Sequence, residues 1–248
     1  SNRRRKIFPK YKMGRKMSYR LNRAHDFLTR EEEQKMMIRQ LNRVVEYLEC
    51  LPVSIMNMEN CEADDVIGTL ASQASIQGFE TYMMTPDKDF AQLVTDKIFM
   101  YRPGQRGNKH QIWNIETVCE KFDINNVSQV VDFLGMVGDS VDNIPGIAGV
   151  GPKTASKLLK KYGSLEGVYA SVESLEGKLK EKILFSKENA FLSKQLAKIV
   201  LNAPIQLNAD NLIIRKQIRT VGEHEVEVNP YHELSTKVKV LIMVQIKI

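Results

Sequence analysis

The sequence is poor in the residues that thiolate and imidazole chemistry require. Its 248 residues include three cysteines, four histidines and one tryptophan. Cys50, Cys61 and Cys119 are an odd number, widely spaced and without a CxxC pair. That suggests neither a disulfide framework nor a cysteine zinc site, and it fits a reducing cytoplasm. His25, His110, His224 and His232 are scattered, and none adjoins an acid cluster. No apolar run approaches the ~18 residues of a membrane span, and neither a signal peptide nor a membrane partner is expected.

Acids are missing from the first 25 residues, where the first is Asp26, whereas ten Lys/Arg fall between Arg3 and Arg23. The whole chain carries +6, with a pI near 9.1. This polarised charge reads as a phosphate-facing segment, with an ordinary solvated arm as the competing reading. Hydrophobic content of 43% is enough for a globular core.

Beyond the basic segment, Thr29 and Glu32 make a capping box before Met36, Met37, Leu41, Val44, Val45 and Leu48, so 30–50 reads as an amphipathic helix. "PVSIMNM" (52–58) reads as a short buried strand. A second helix carries Ala63 to Ala74 and stops at Gly78. Strands follow at 79–85 and 97–103, and "GQRGN" supplies turn chemistry before "HQIWNI", a hairpin. This alternation predicts an α/β core with a mostly parallel sheet. From Glu116 the period is helical, over 116–122, 127–137, 152–162, 175–186 and 188–201. The tail after Asn211 alternates, ends in a β-prone run and is left unassigned.

Three acid clusters stand where open α/β sheets place their sites. "CEADDVIG" holds Glu62, Asp64 and Asp65 at a helix start, "TPDKDFAQL" holds Asp87 and Asp89 after a strand, and "GDSVDNIPG" holds Asp139 and Asp142. One or two acids at a helix start need no more than the helix dipole, which they complement by ~0.3–1 kcal/mol each. Three in four positions repel. Two like charges about 4 Å apart at an effective dielectric near 20 cost roughly 4 kcal/mol. "DKD" alone reads as a surface turn and "GDSVDN" alone as a capping loop. Together the clusters give an all-oxygen donor set that selects Mg²⁺ or Mn²⁺ over zinc. Seven carboxylates exceed the needs of one such ion, so two ions are expected, the arrangement that serves in-line attack on phosphodiesters.

Next to the last cluster lies "PGIAGVGPKTASKLLKKYG", a helix-hairpin-helix pattern. Gly149 and Gly151 let backbone N–H groups approach a phosphate, and Pro152 suits the first helical turn. Lys153, Thr154 and Lys157 add donors. Such contacts grip a nucleic-acid backbone without reading bases.

"EADDVIGTLA", "TPDKDFAQLV" and "GDSVDNIPGIAGVGPKTASKLL" resemble the 5′-nuclease family of flap endonucleases and 5′→3′ exonucleases, over about Arg3 to Leu207. The likeness is to the 5′-nuclease domain of bacterial DNA polymerase I and its stand-alone phage relatives. It implies a PIN-like α/β core flanked by helices, with a C-terminal helical part carrying the helix-hairpin-helix. By this resemblance Glu62, Asp64, Asp65, Asp87 and Asp89 serve a metal centre, and Asp139 and Asp142 complete a second site. Tyr11, Lys12 and Arg15 match the basic element beside the scissile phosphate. There Lys12 and Arg15 join Asp65 and Asp87 as the catalytic set, and Tyr11 offers a base-stacking face. The family also carries two aspartates upstream of "RRK", which the sequence given does not include; it reads as an N-terminally truncated fragment or a degraded relative.

The expected organisation is a nuclease core with a basic arch over 1–125, a helical region over 126–211 and a tail over 212–248. The expected activity is divalent-metal-dependent cleavage of DNA with a 5′ flap, nick or RNA primer, releasing 5′-phosphates. A monomer is expected, fused to or working with a DNA polymerase. The rival expectation is a DNA-junction-binding module lacking the upstream aspartates. A compact PIN-type ribonuclease toxin would have no use for the duplex-gripping hairpin.

Overall fold

The computed structural model describes residues 2–13, 29–51, 53–56, 58–104, 109–207, 224–231 and 234–240. They fall into two compact units. Residues 2–13 and 58–206 form the first, which holds all three acid clusters and the glycine hairpin.

That unit opens with helix α1 (Asn2–Ile7) and a run of turns to residue 13. Helix α3 (Ala63–Ile76) leads through Gly78, φ +95°, into strand β1 (Thr81–Met84). A 3-10 turn (Lys88–Leu93) buries Phe90, Ala91 and Leu93 before strand β2 (Ile98–Arg102). β1 and β2 run parallel, with Thr81 opposite Ile98 and Met84 opposite Tyr101. Strand β3 (Gln111–Trp113) returns antiparallel, Met100 opposite Trp113, as the turn chemistry predicts. The sheet is therefore mixed, one pairing of each kind, with Met83, Met100 and Trp113 turned into the core.

The helices that follow share one hydrophobic core with this sheet. Helix α4 (Ile115–Phe122) starts at Asn114, whose side chain accepts from Thr117 N at 2.9 Å, and ends at Asp123 with φ +54°. Helix α5 (Gln129–Val137) is the central element. Its Val130, Phe133, Leu134 and Met136 are all buried, each contributing about 1.5–3 kcal/mol by leaving water. Gly135 lets it cross helix α9 (Lys187–Ala197) closely, since a Cβ there would stand 2.9 Å from Lys194 Cα. Helices α6 (Pro152–Tyr162), α7 (Leu165–Ala170) and α8 (Gly177–Phe185) complete the layer.

The second unit contains helix α2 (Arg30–Glu49) and an antiparallel pair, β4 (His224–Tyr231) and β5 (Leu234–Val240). The capping box of α2 is present: Thr29 N donates to Glu32 Oε2 at 2.8 Å, and Glu32 N to Thr29 Oγ at 3.3 Å. The strand expected over 52–58 does not form in residues 53–56. Ile55 is 42% exposed, and Val53 N donates to Leu51 O at 2.8 Å, a local turn bond rather than the cross-strand bond of a ladder. Among the described residues no helix is long and apolar enough to cross a membrane.

Candidate active site

Each acid is placed by a chain reversal. Glu62 precedes α3, and Asp64 and Asp65 occupy its first turn. After β1 the chain bends through Thr85, whose hydroxyl accepts from Asp87 N at 3.1 Å, and Asp87 Oδ1 then accepts from Asp89 N at 3.1 Å. After α5, Asp139 Oδ1 accepts from Val141 N at 2.7 Å and Asp142 N at 3.3 Å, an Asx turn. Glu62, Asp64, Asp87, Asp89 and Asp142 line one recess with Arg4 and Tyr11. Asp139 and Asp65 stand outside that lining.

The recess has two electrostatic halves. On one side burial pushes the Asp89 carboxyl up to about 7, helped by the Asp87 charge, opposed by Lys88, and helped more weakly by Asp139 and Asp64. Crowded oxygen donors of this kind fit a hard divalent cation. Among the described residues no three such ligands already stand in binding geometry, so an ion would have to draw them together.

The other half is already neutralised by the protein. Arg4, 2% exposed, places Nη1 at 2.8 Å from Glu62 Oε2 and 2.9 Å from Asp65 Oδ2. Lys12 Nζ lies 3.2 Å from Glu62 Oε1 and 3.8 Å from Asp142 Oδ2. Burial works against ionisation of Glu62, but Arg4 and then Lys12 outweigh it and hold the carboxyl below its usual range. The backbone fixes this arrangement too, with Lys12 N donating to Asp142 O at 2.9 Å and Asn143 Nδ2 to Lys10 O at 2.9 Å.

The acid turn and the hairpin are joined by a backbone weld. Asp139 and Ile144 exchange bonds at 2.9 and 2.7 Å, and Ile147 N donates to Met136 O at 2.8 Å. Gly138 (φ +71°) and Gly146 (φ +62°) pass in contact, so that a Cβ on Gly146 would lie 2.7 Å from Gly138 N. Gly146 N also donates to the buried Ser193 hydroxyl of α9 at 2.8 Å. Beyond the weld, Gly149 (φ +74°) turns the chain into α6, and Gly151 faces open space at its N-cap. Lys153 and Lys157 are exposed and Thr154 half-buried. Lys182 of α8 also lies here, its Nζ 2.7 Å from where a Gly149 Cβ would be.

The structure thus brings Lys12 to the acids at the recess and sets Gly149, Gly151, Lys153, Thr154 and Lys157 on the adjoining turn and helix. Tyr11 departs from expectation. It is 4% exposed and packs with Ile144 and Leu196, so its ring presents no face for a base. Arg15 lies outside the described residues. Sequence reasoning missed Arg4 and Lys182. Arg4 had a signal, because Arg4, Ile7, Phe8 and Tyr11 recur at helical spacing along one inward face, but the surrounding positive charge obscured it.

A family model for the 5′-3′ exonuclease N-terminal resolvase-like domain matches residues 1–123, and one for the 5′-3′ exonuclease C-terminal SAM fold matches 125–220. DNA polymerase I of Bacillus subtilis is 41% identical over 174 residues, 70% of this chain and 20% of the polymerase. A 5′-3′ exonuclease of Aquifex aeolicus is 36% identical over 177 residues, 71% of this chain and 58% of that protein. The chain therefore spans about a fifth of the polymerase relatives it matches. The structure of T5 5′-exonuclease with divalent metal ions (zinc) bound has the same fold, with a TM-score of 0.64, 20% identity, and coverage of 79% of this chain and 70% of that one. With both halves of the family model matched in order, the chain belongs to the 5′-3′ exonuclease family.

Proposed function

We propose that the chain is a structure-specific, divalent-metal-dependent 5′→3′ exonuclease or 5′-flap endonuclease. It acts in the cytoplasm as a monomer, using Mg²⁺ or Mn²⁺, on DNA with a 5′ flap, nick or RNA primer, fused to or beside a DNA polymerase. The observation that carries this reading is the recess that gathers five mutually repelling carboxylates, Glu62, Asp64, Asp87, Asp89 and Asp142, in one place. A neutral ligand binding there would leave that repulsion standing, whereas a divalent cation relieves it. The Bacillus polymerases and the Aquifex exonuclease, together with the T5 flap endonuclease studied with DNA and metal ions, support the same direction.

In this reading Asp64, Asp87, Asp89 and Asp142, which line the recess with Glu62, would hold the cation, and Asp139 stands outside that lining. Held by these carboxylates, divalent ions, two being the expected number, would supply charge neutralisation and a nucleophile for in-line hydrolysis. The chain's own residues do the rest. Lys12, held at 3.2 Å from Glu62 and 3.8 Å from Asp142, keeps an ammonium at the mouth of the acid recess for the scissile phosphate. The amides at the start of α6, with Lys153, Thr154 and Lys157, grip a duplex phosphate away from the cut.

A labelled 5′-flap duplex tests this. The expected result is cleavage with Mg²⁺ and none with EDTA. Asp89→Ala should lower cleavage by about 10–100-fold, the usual effect of damaging a metal site, with flap binding in Ca²⁺ within a few-fold of wild type. Equal cutting by Asp89→Ala, or tight flap binding with no Mg²⁺-dependent cutting by the wild type, would refute the proposal.

A further inference from the structure

The two adjacent aspartates of "EADD" point into different surroundings. Asp64 lines the recess, while Asp65 is 3% exposed and lies outside its lining. What Asp65 meets is Arg4. The guanidinium has five N–H donors, and five bonds engage it: Nη1 to Glu62 Oε2 (2.8 Å) and Asp65 Oδ2 (2.9 Å), Nη2 to Asp65 Oδ1 (2.9 Å) and Lys198 O (2.9 Å), and Nε to Leu196 O (2.8 Å). Asp65 Oδ1 also accepts from Val200 N at 3.0 Å. The fork-to-fork pair is thus closed on both sides, and it ties α1, the start of α3 and the carbonyls at the end of α9 into one knot.

We infer that Asp65 is a positioning residue rather than a metal ligand: it fixes Arg4, and Arg4 in turn fixes the Glu62 carboxylate at the edge of the recess. A carboxylate bridged by a bidentate arginine and a backbone amide has three of its roughly four lone-pair sites engaged, and turning it toward an ion would strand a buried guanidinium. The ligands facing the recess are then Asp64 with Asp87, Asp89 and Asp142, and Glu62 is held ready between Arg4 and Lys12. This inference rests on the metal reading proposed above, but its stability arm does not.

The experiment compares Arg4→Gln, Arg4→Lys, Asp65→Asn, the Arg4→Gln/Asp65→Asn double variant and Asp89→Asn. In the metal-free protein, Arg4→Gln and Asp65→Asn should each lower Tm by about 5–10 °C. The double variant should fall little further, because one clamp is being removed. Asp89→Asn should not lower Tm. In Mn²⁺ titrations followed by calorimetry, Asp65→Asn should bind within about threefold of wild type while Asp89→Asn binds at least about tenfold more weakly. Where variants remain folded, flap cleavage should lose turnover with KM unchanged in Arg4→Gln and regain part of it in Arg4→Lys. The stability cycle stands even if the wild type binds no Mn²⁺, which would sink the metal reading alone. The inference is overturned if Asp65→Asn weakens Mn²⁺ binding as much as Asp89→Asn with Tm intact, or if the Tm losses of Arg4→Gln and Asp65→Asn simply add.

Discussion

Replacing Gly138 by alanine tests whether the acid turn and the hairpin form one rigid piece. Gly138 has φ +71° and ψ −176°, a region that only glycine occupies without strain, so a side chain there costs of order 1–3 kcal/mol. The added Cβ would also stand 2.6 Å from Ile144 O, 2.8 Å from Gly146 N and 3.0 Å from Gly146 Cα. All three are backbone atoms held by the 2.9 and 2.7 Å bonds between Asp139 and Ile144, so no rotamer change relieves the overlap. Overpacking of this kind adds about 1–3 kcal/mol. With roughly 2–4 °C per kcal/mol for a chain of this size, a combined cost near 3 kcal/mol lowers Tm by about 6–12 °C. Gly163→Ala is the control, because its φ is +82° but a Cβ there meets nothing within 4 Å. It carries the conformational cost alone, about 1–3 kcal/mol or 2–12 °C, without the overlap. Differential scanning calorimetry of both variants separates the contributions. Equal Tm losses would refute the close approach, and an unchanged Tm in Gly138→Ala would refute the turn geometry altogether.

Two further outcomes follow from the recess and the hairpin. The folded Asp89 carboxyl titrates at about 7 and an unfolded one near 3.9. Between these values the folded state binds more protons, so this group makes metal-free stability fall as pH rises through that window, with the loss complete above it. Saturating Mg²⁺ should therefore raise Tm more at pH 8 than at pH 5.5, and Asp89→Asn should erase the difference; a pH-independent Tm gain in the wild type would refute this. At Gly151, φ is −96° and nothing lies within 4 Å, so Gly151→Ala should leave Tm within about 1–2 °C while weakening duplex binding through a methyl over the α6 amides. Lys153→Ala and Lys157→Ala should each lower the slope of log K against log salt by about 1, measured by fluorescence anisotropy. Unchanged slopes would place the duplex elsewhere.

The helices were legible where local signals agreed. Thr29 with Glu32, Gly78 after α3, and Gly151–Pro152 before α6 mark boundaries by backbone chemistry that owes nothing to tertiary context. The three acid clusters were legible as residue types, and their convergence at one recess or its edge followed from their places at strand and helix ends. What the sequence hid was partnership. Arg4 reads as one cation among ten, and the helical spacing that turns it inward with Ile7 and Phe8 does not say that Asp65 is its partner. Tyr11 reads as an exposed ring for the same reason, since Leu196 and Ile144, which cover it, lie far along the chain. The strand expected over 52–58 failed from the opposite cause: apolar composition was present, but strand formation depends on a paired neighbour, and 53–56 take no strand conformation with Ile55 42% exposed.

An acid turn beside an amide-lined hairpin is an odd pairing only if each is taken to bind its own ligand. In the proposed reaction both address one polyanion, the turn through a cation and the hairpin through bare N–H groups. Gly138, Gly146 and the Asp139–Ile144 bridge hold the two at fixed separation, and Ser193 of α9 pins the same loop from beneath. The carbonyls of α9 and its following turn, at Leu196 and Lys198, are in turn held by Arg4, which also fixes Glu62. A displacement of the hairpin therefore has a continuous covalent and hydrogen-bonded path to both sides of the acid recess. Such a frame would set the cut at a constant distance from the gripped duplex, so loosening it should scatter the cleavage positions before it abolishes cleavage. Sequencing-gel mapping of products from Ser193→Ala, which removes the 2.8 Å bond to Gly146 N without touching either site, distinguishes the cases. A broadened product ladder is the expected result. A single sharp product at wild-type position would mean that the grip and the cut are registered by something other than this loop.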